Sequence, residues 1–243
     1  GSMASNLYYL WYLLENYASD LHIKTIVDNT ELYFIPCVNP DGYIYNIANT
    51  PGGGGLWRKN RRDNGDGTFG VDLNRNYGQF WGFDATGSSP MPANETYRGT
   101  APFSEPETRA VKWFCNTHHF KFALNYHSFQ DATIYPWGHI QYLHTPDSTL
   151  HIHYWHHLTL RNHYHYGMSI QTVWYIANGT SDDWMYGEQI SKPKILAMTP
   201  EAGSASDGFW PASSRIIDIC KTTFNQNINL AKLVTNFANV TDQ

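Results

Sequence analysis

Apolar positions Leu7, Leu10, Trp11, Leu13 and Leu14 recur at helical spacing, which predicts a helix over about residues 3–18. The run from Glu31 to Val38 is continuous and apolar enough for a buried strand, and Asn39-Pro40-Asp41-Gly42 reads as the turn that closes it. From Tyr43 to about Ser104 the periodicity fades and Gly and Asn dominate, with a glycine run from Gly52 to Gly55. So long an irregular stretch inside a compact domain is expected to build the wall of a site. Ser104, followed by Pro106 and Glu107, has the cap chemistry of a helix N-terminus, so a helix should run to about Thr117. Phe120 to Tyr126 and Ala132 to Tyr135 then read as strands, Asp147 to about His163 as a helix, Ile195 to Thr199 as a strand, and Pro211 to about Phe237 as a long amphipathic helix. Strands alternating with helices predict one α/β domain, a mixed and largely parallel sheet with helices on both faces, without internal repeats or a linker.

Composition narrows the function classes. Hydrophobic residues make up 42% of the 243 positions, aromatic residues 16% and charged residues 15%, enough apolar material for a sizeable core. A mean hydropathy of -0.47, with no apolar run of about 18 residues, argues against a membrane span. A net charge of -5 gives no field to gather nucleic acid or an anionic membrane, so neither partner is expected. The three cysteines, Cys37, Cys115 and Cys220, have no metal-site spacing and read as buried thiols. Gly1-Ser2-Met3 shows no export signal.

Candidate chemistry sits where apolar runs end, because ligands of open α/β sheets collect at the carboxyl ends of strands. Two runs end in His127-Ser128 and in Pro200-Glu201, a metal-ligand type and a general-base type. Arg58, Lys59, Arg61, Arg62 and Arg75 concentrate positive charge in one loop region of a chain with 16 Lys and Arg, which suits an anionic ligand such as a carboxylate. No glycine-rich turn leads into a helix with Lys-Ser or Lys-Thr, so a nucleotide cradle is not expected. Seven of the 12 histidines fall between His144 and His165, and His153 and His157 lie one helical turn apart. No acidic partner stands between them, and they read as a surface helix with adventitious metal affinity. Asp63 to Gly67 lacks the distal Glu of a calcium loop and reads as a polar turn.

Asn39-Pro40-Asp41-Gly42, Leu56-Trp57-Arg58-Lys59, Asp72 to Asn76, Tyr126-His127-Ser128, Trp174-Tyr175 with Ser181 to Trp184, and Thr199-Pro200-Glu201 occur in an order and spacing that resembles the carboxypeptidase A/B family of zinc metallocarboxypeptidases. The resemblance covers nearly the whole chain, through Phe209-Trp210-Pro211. It implies that His127 is a zinc ligand, that Arg58 polarises the scissile carbonyl, and that Asn74 and Arg75 clamp the substrate's terminal carboxylate. It also implies that Tyr175 closes over the substrate and that Glu201 is the base that activates the attacking water. Asp72 resembles the carboxylate that orients one of the family's zinc-binding histidines. Asp182 matches the position at the bottom of the specificity pocket in the branch that takes C-terminal Lys and Arg. Ile134, Gly138, Ile170, Trp174, Ala177 and Thr199 match its lining. The plain alternative for Asp182 is a cap on a helix beginning near Asp183.

One departure is large. The family's first two zinc ligands lie in an H-x-x-E motif, and no H-x-x-E occurs in these residues. Aligned by the first helix, that motif would fall just before Gly1. The chain is therefore expected to be a peptidase domain, residues 1–243, incomplete at its N-terminus and lacking the leading strands of the sheet. It should hold zinc poorly and be inactive as it stands, since a catalytic zinc needs three protein ligands. The resemblance otherwise implies a secreted or periplasmic, monomeric enzyme with one zinc that acts on peptide or protein C-termini. The rival reading is a non-catalytic module that binds peptide C-termini. A serine hydrolase is disfavoured, because no G-x-S-x-G elbow is present.

Overall fold

The computed structural model describes residues 1–241, with side chains described through residue 234. Four short strands form one sheet in the order β1-β4-β2-β3, namely Phe122–Leu124 (β1), Leu196–Glu201 (β4), Ala132–Ile134 (β2) and His165–Gly167 (β3). β1 pairs parallel with β4 and β2 parallel with β3, while β2 and β4 run antiparallel. The sheet is thus mixed, as the sequence predicts.

Among the described residues eight helices surround it: α1 (Ser2–Asn16), α2 (Leu21–Asn29), α3 (Pro40–Asn49), α4 (Pro106–Thr117), α5 (Ser148–Thr159), α6 (Ser169–Thr172), α7 (Ser181–Gly187) and α8 (Ile216–Thr241). All six positions of β4 are buried, so it is covered on both faces. Ala197 packs with Val111 and Cys115 of α4 and Trp184 and Met185 of α7. Met198, one residue on and therefore on the other face, packs with Trp155 and Leu158 of α5 and Leu230 of α8. A further cluster joins Tyr9 and Leu13 of α1, Ile23 and Ile26 of α2, and Ile228 of α8. The three cysteines are free; Cys115 and Cys220 are buried, but Cys37 is only partly covered.

The structure corrects three local expectations. Asn39-Pro40-Asp41-Gly42 does not form a turn after a strand but starts α3. The Asn39 side chain accepts the Gly42 N–H at 3.0 Å, and Pro40 occupies the first turn, where its missing N–H costs nothing. Gly42 is required here by close approach, since a Cβ would lie 2.6 Å from the Lys59 carbonyl oxygen. Residues 31–38 run extended but pair with no strand, and no backbone hydrogen bond joins residues 31–37 to a neighbour among the described residues. Leu32 and Phe34 pack against the α1/α2/α8 cluster, while Tyr33 meets Phe114 and Phe120 on the α4 side. The segment therefore alternates like a strand without the ladder of one. A cavity of 1160 Å³ lies between it and β1. Finally, Glu105 rather than Ser104 occupies the cap position of α4. The Glu105 carboxylate is drawn away to Arg62 at 2.7 Å and Asn60 at 2.8 Å, where it ties the long loop to the helix.

The stretch expected to be irregular from Tyr43 is helical through Asn49, as part of α3, and irregular only from residue 50 to 105, where it is held firmly. Fully buried Asn76 donates to the carbonyls of Arg98 and Ala101 and accepts from Thr108 Oγ1 at 2.7 Å. Among the described residues no helix is long and apolar enough to cross a membrane.

Candidate functional site

The site forms where β4 ends beside the extension of β1. Beyond β1 the chain continues parallel to β4: the His127 N–H donates to Pro200 O at 2.8 Å, and the Ala202 N–H donates to His127 O at 2.9 Å. This register sets His127 and Glu201 side by side. The second wall is the 3-10 turn Leu73–Arg75, which starts because Asp72 Oδ1 accepts the Asn74 N–H at 3.1 Å. The other carboxylate oxygen of Asp72 pairs with Arg58 at 2.7 Å and lies 4.0 Å from Arg75. Arg58 is itself placed through its own main chain, since Asn39 Nδ2 donates to the carbonyls of Arg58 and Lys59. The Asn39 motif thus acts on the site through the backbone.

The third wall is the start of α7, capped by Thr180, which accepts the Asp183 N–H at 3.4 Å. Asp182 is therefore not the cap; it lies within the first turn, buried, with no cation bonded to its carboxylate among the described residues. Its neighbour Asp183 takes the structural work, accepting the Gly138 and His139 N–H groups at 2.8 and 3.3 Å. Asn74 joins the walls: its Oδ1 accepts the Ser181 N–H at 2.9 Å, which turns its Nδ2 toward His127 Nε2 at 3.4 Å.

These walls enclose a pocket of 40 Å³ that brings together Arg58, Asn74, Arg75, His127, Tyr175, Asp182, Thr199 and Glu201, with Ile134, Gly138 and Ala177 of the expected lining. Two expected lining residues are elsewhere. Ile170 does not line the pocket, where α6 presents Ser169 instead, and Trp174, at φ 61°, is turned outward and 70% exposed. Ser169 and Thr180 were missed from the sequence. Thr180 was legible as a cap three residues before Asp183, whereas nothing in the sequence distinguishes Ser169.

The electrostatics separate the groups. Burial first, and then the charge of Asp182 against the opposing pull of Arg58 and Arg75, pushes the Glu201 carboxyl up to about 8. Burial and adjacent Asp183 push Asp182 up to about 6. Burial and the cation Arg58 push His127 down to about 4. Burial, followed by the charge of Glu201, raises the Tyr175 phenol. Two carboxyls whose proton affinities lie well above the usual range thus face two arginines across a small pocket, an arrangement suited to proton transfer beside an anion.

A zinc ion asks for more than these residues supply. Three protein ligands and an open position are needed. Here His127 is the one imidazole, the Asn74 amide faces its Nε2, and among the described residues no group of three or more His, Cys, Asp or Glu converges. The donor set does not by itself make the ion's site.

Comparison with known proteins gives one consistent result. A family profile described as zinc carboxypeptidase matches residues 1–226. The chain is 34% identical over 229 residues to carboxypeptidase B of Astacus astacus, covering 87% of this chain and 69% of that protein. It is 29% identical over 241 residues to mast cell carboxypeptidase A of Rattus norvegicus, covering 93% of this chain and 55% of that one. Among solved structures, thrombin activatable fibrinolysis inhibitor superposes with a TM-score of 0.84 at 26% identity, over 96% of this chain and 58% of that one. The chain thus spans between about half and two thirds of these relatives' own lengths.

Proposed function

The chain belongs to the zinc carboxypeptidase family, and from that premise we propose that its site takes the free C-terminal end of a peptide for hydrolysis of the last peptide bond. The observation that carries this reading is the shared pocket of Arg75, Asn74, Arg58, Glu201 and Asp182. Arg75, anchored by its Nη1 bond to the Asn74 carbonyl at 2.7 Å, has a buried Nε with no partner. Such a donor costs free energy until an acceptor arrives, and a carboxylate supplies one. With the terminal carboxylate there, Arg58 is the cation for the scissile carbonyl, where it stabilises charge developing on oxygen. Glu201 takes a proton from the attacking water and returns it to the leaving amine, so no proton is gained or lost over the cycle.

Asp182 supports a preference for C-terminal Lys and Arg. A buried carboxylate without a cation disfavours an apolar guest, whereas a basic side chain neutralises it and Thr199, Ile134 and Ala177 cover the alkyl stem. The pocket now has room for about one water, so a long side chain enters as half-exposed Tyr175 moves aside.

The missing metal donors favour a second reading for the 243 residues by themselves, recognition of the C-terminus without turnover. Binding tests the shared part of both. Calorimetry with peptides ending in Arg should give at least tenfold tighter binding for the free acid than for the amide, and Arg75→Ala should erase the difference. Equal affinity for acid and amide in the unsubstituted chain would overturn both readings. Hydrolysis of the same peptide by the 243 residues in zinc buffer would overturn the second alone.

A further inference from the structure

We propose that the site on this chain that takes up a divalent transition metal lies on α5, at His153 and His157, and not at His127. The two residues are one turn apart on the exposed side of the helix, with ring centres 4.8 Å apart and planes at 74°. An ion about 2.0–2.1 Å from an imidazole nitrogen lies about 3.2 Å from that ring's centre. Two imidazoles on one ion at square or tetrahedral angles therefore have centres about 4.5–5.2 Å apart. The observed spacing falls inside that window.

The platform is rigid. Tyr154, Trp155 and Leu158, on the other face of α5, are buried against the sheet and α8, so binding orders two side chains rather than a helix. Neither imidazole makes a side-chain hydrogen bond or ion pair among the described residues, so the metal displaces only water. Among the described residues no carboxylate joins the pair, and two neutral nitrogen donors select Cu²⁺ first and then Ni²⁺ and Zn²⁺, while Mg²⁺ and Ca²⁺ are refused. Water completes the coordination sphere.

His127 is the poorer host on two counts. Among the described residues it is a single imidazole at its pocket, and it faces an amide group. The inference is independent of the peptide-binding reading, since α5 contributes nothing to that pocket.

The test is equilibrium dialysis of the 243-residue chain against Cu²⁺ and, separately, Zn²⁺, with the copper spectrum read for nitrogen hyperfine splitting. We expect one Cu²⁺ per chain with two nitrogen donors, weaker Zn²⁺ uptake, and a melting temperature that rises with added Cu²⁺. His153→Gln and His157→Gln, both at exposed positions, should each abolish the splitting and the thermal shift. His127→Gln should leave both in place. Retention of the copper signal in His153→Gln, or its loss in His127→Gln, would overturn the assignment, and circular dichroism of each variant guards against misfolding as the cause.

Discussion

At the residue scale the informative contrast is between two neighbouring aspartates. Asp183 is consumed by the fold, holding the Gly138 and His139 amides, while Asp182 is left buried in the pocket beside Glu201. Their proximity couples them: the charge of Asp182 helps to keep Glu201 protonated. Asp182→Asn should therefore lower the Glu201 titration from about 8, while burial, the larger cause, keeps it above the ordinary carboxyl range, as read by carbon NMR of the glutamate side chains. The same substitution should cut the affinity ratio of Arg-ended over Phe-ended peptides at least tenfold. An unchanged ratio would leave Asp182 without a part in selectivity. A basic guest side chain should act in the same direction as the substitution and lower the proton affinity of Glu201.

Among the elements, the extended segment from 31 to 38 and the edge strand β1 stand apart from the rest. Both carry alternating apolar side chains held between the same helical layers, and neither is laddered to the other across the 1160 Å³ cavity. Backbone groups that lack a partner exchange with solvent freely. Hydrogen exchange should consequently show the amides of Leu32 to Cys37, Pro36 aside, exchanging within seconds to minutes, whereas Ala197 and Met198 of β4 are protected for hours. Comparable protection of both segments would mean that residues 31–37 have found a ladder. The contrast has a simple origin. Side-chain burial alone fixes where the segment lies, but only a neighbouring strand can satisfy its peptide groups.

For the molecule as a whole, opposing proton linkages shape stability. His151 of α5 is fully buried, stacked on Tyr135 with planes 12° apart, and its ring nitrogens have no partner. Burial pushes it down to about 4, with Asp147 opposing and Lys194 assisting. A depressed histidine adds stability that is complete above its unfolded value of about 6.5 and is lost as pH falls toward 4, about 3 kcal/mol in all. Glu201, raised to about 8, works the other way and loses its contribution as pH climbs from about 4.5 to 8. His151→Phe should flatten the fall in urea-unfolding free energy between pH 6.5 and 4 by up to that amount, with little change at pH 8. An equally steep acid limb in the variant would place the linkage elsewhere, with His127 the next candidate. From the sequence alone, periodicity specified the α/β class and the helices at both ends of the chain, and strand-end chemistry and local charge singled out His127, Glu201, Arg58 and Arg75, because these depend on local spacing and on residue type, whereas Asn74, Tyr175, Asp182 and Thr199 entered only through the family resemblance. Tertiary structure alone decided that Glu105 abandons its cap for Arg62 and that Ser169 replaces Ile170 in the lining. Each of those outcomes is a competition for one hydrogen-bonding or packing partner, and the winner is set by groups far away in sequence that only folding brings within reach.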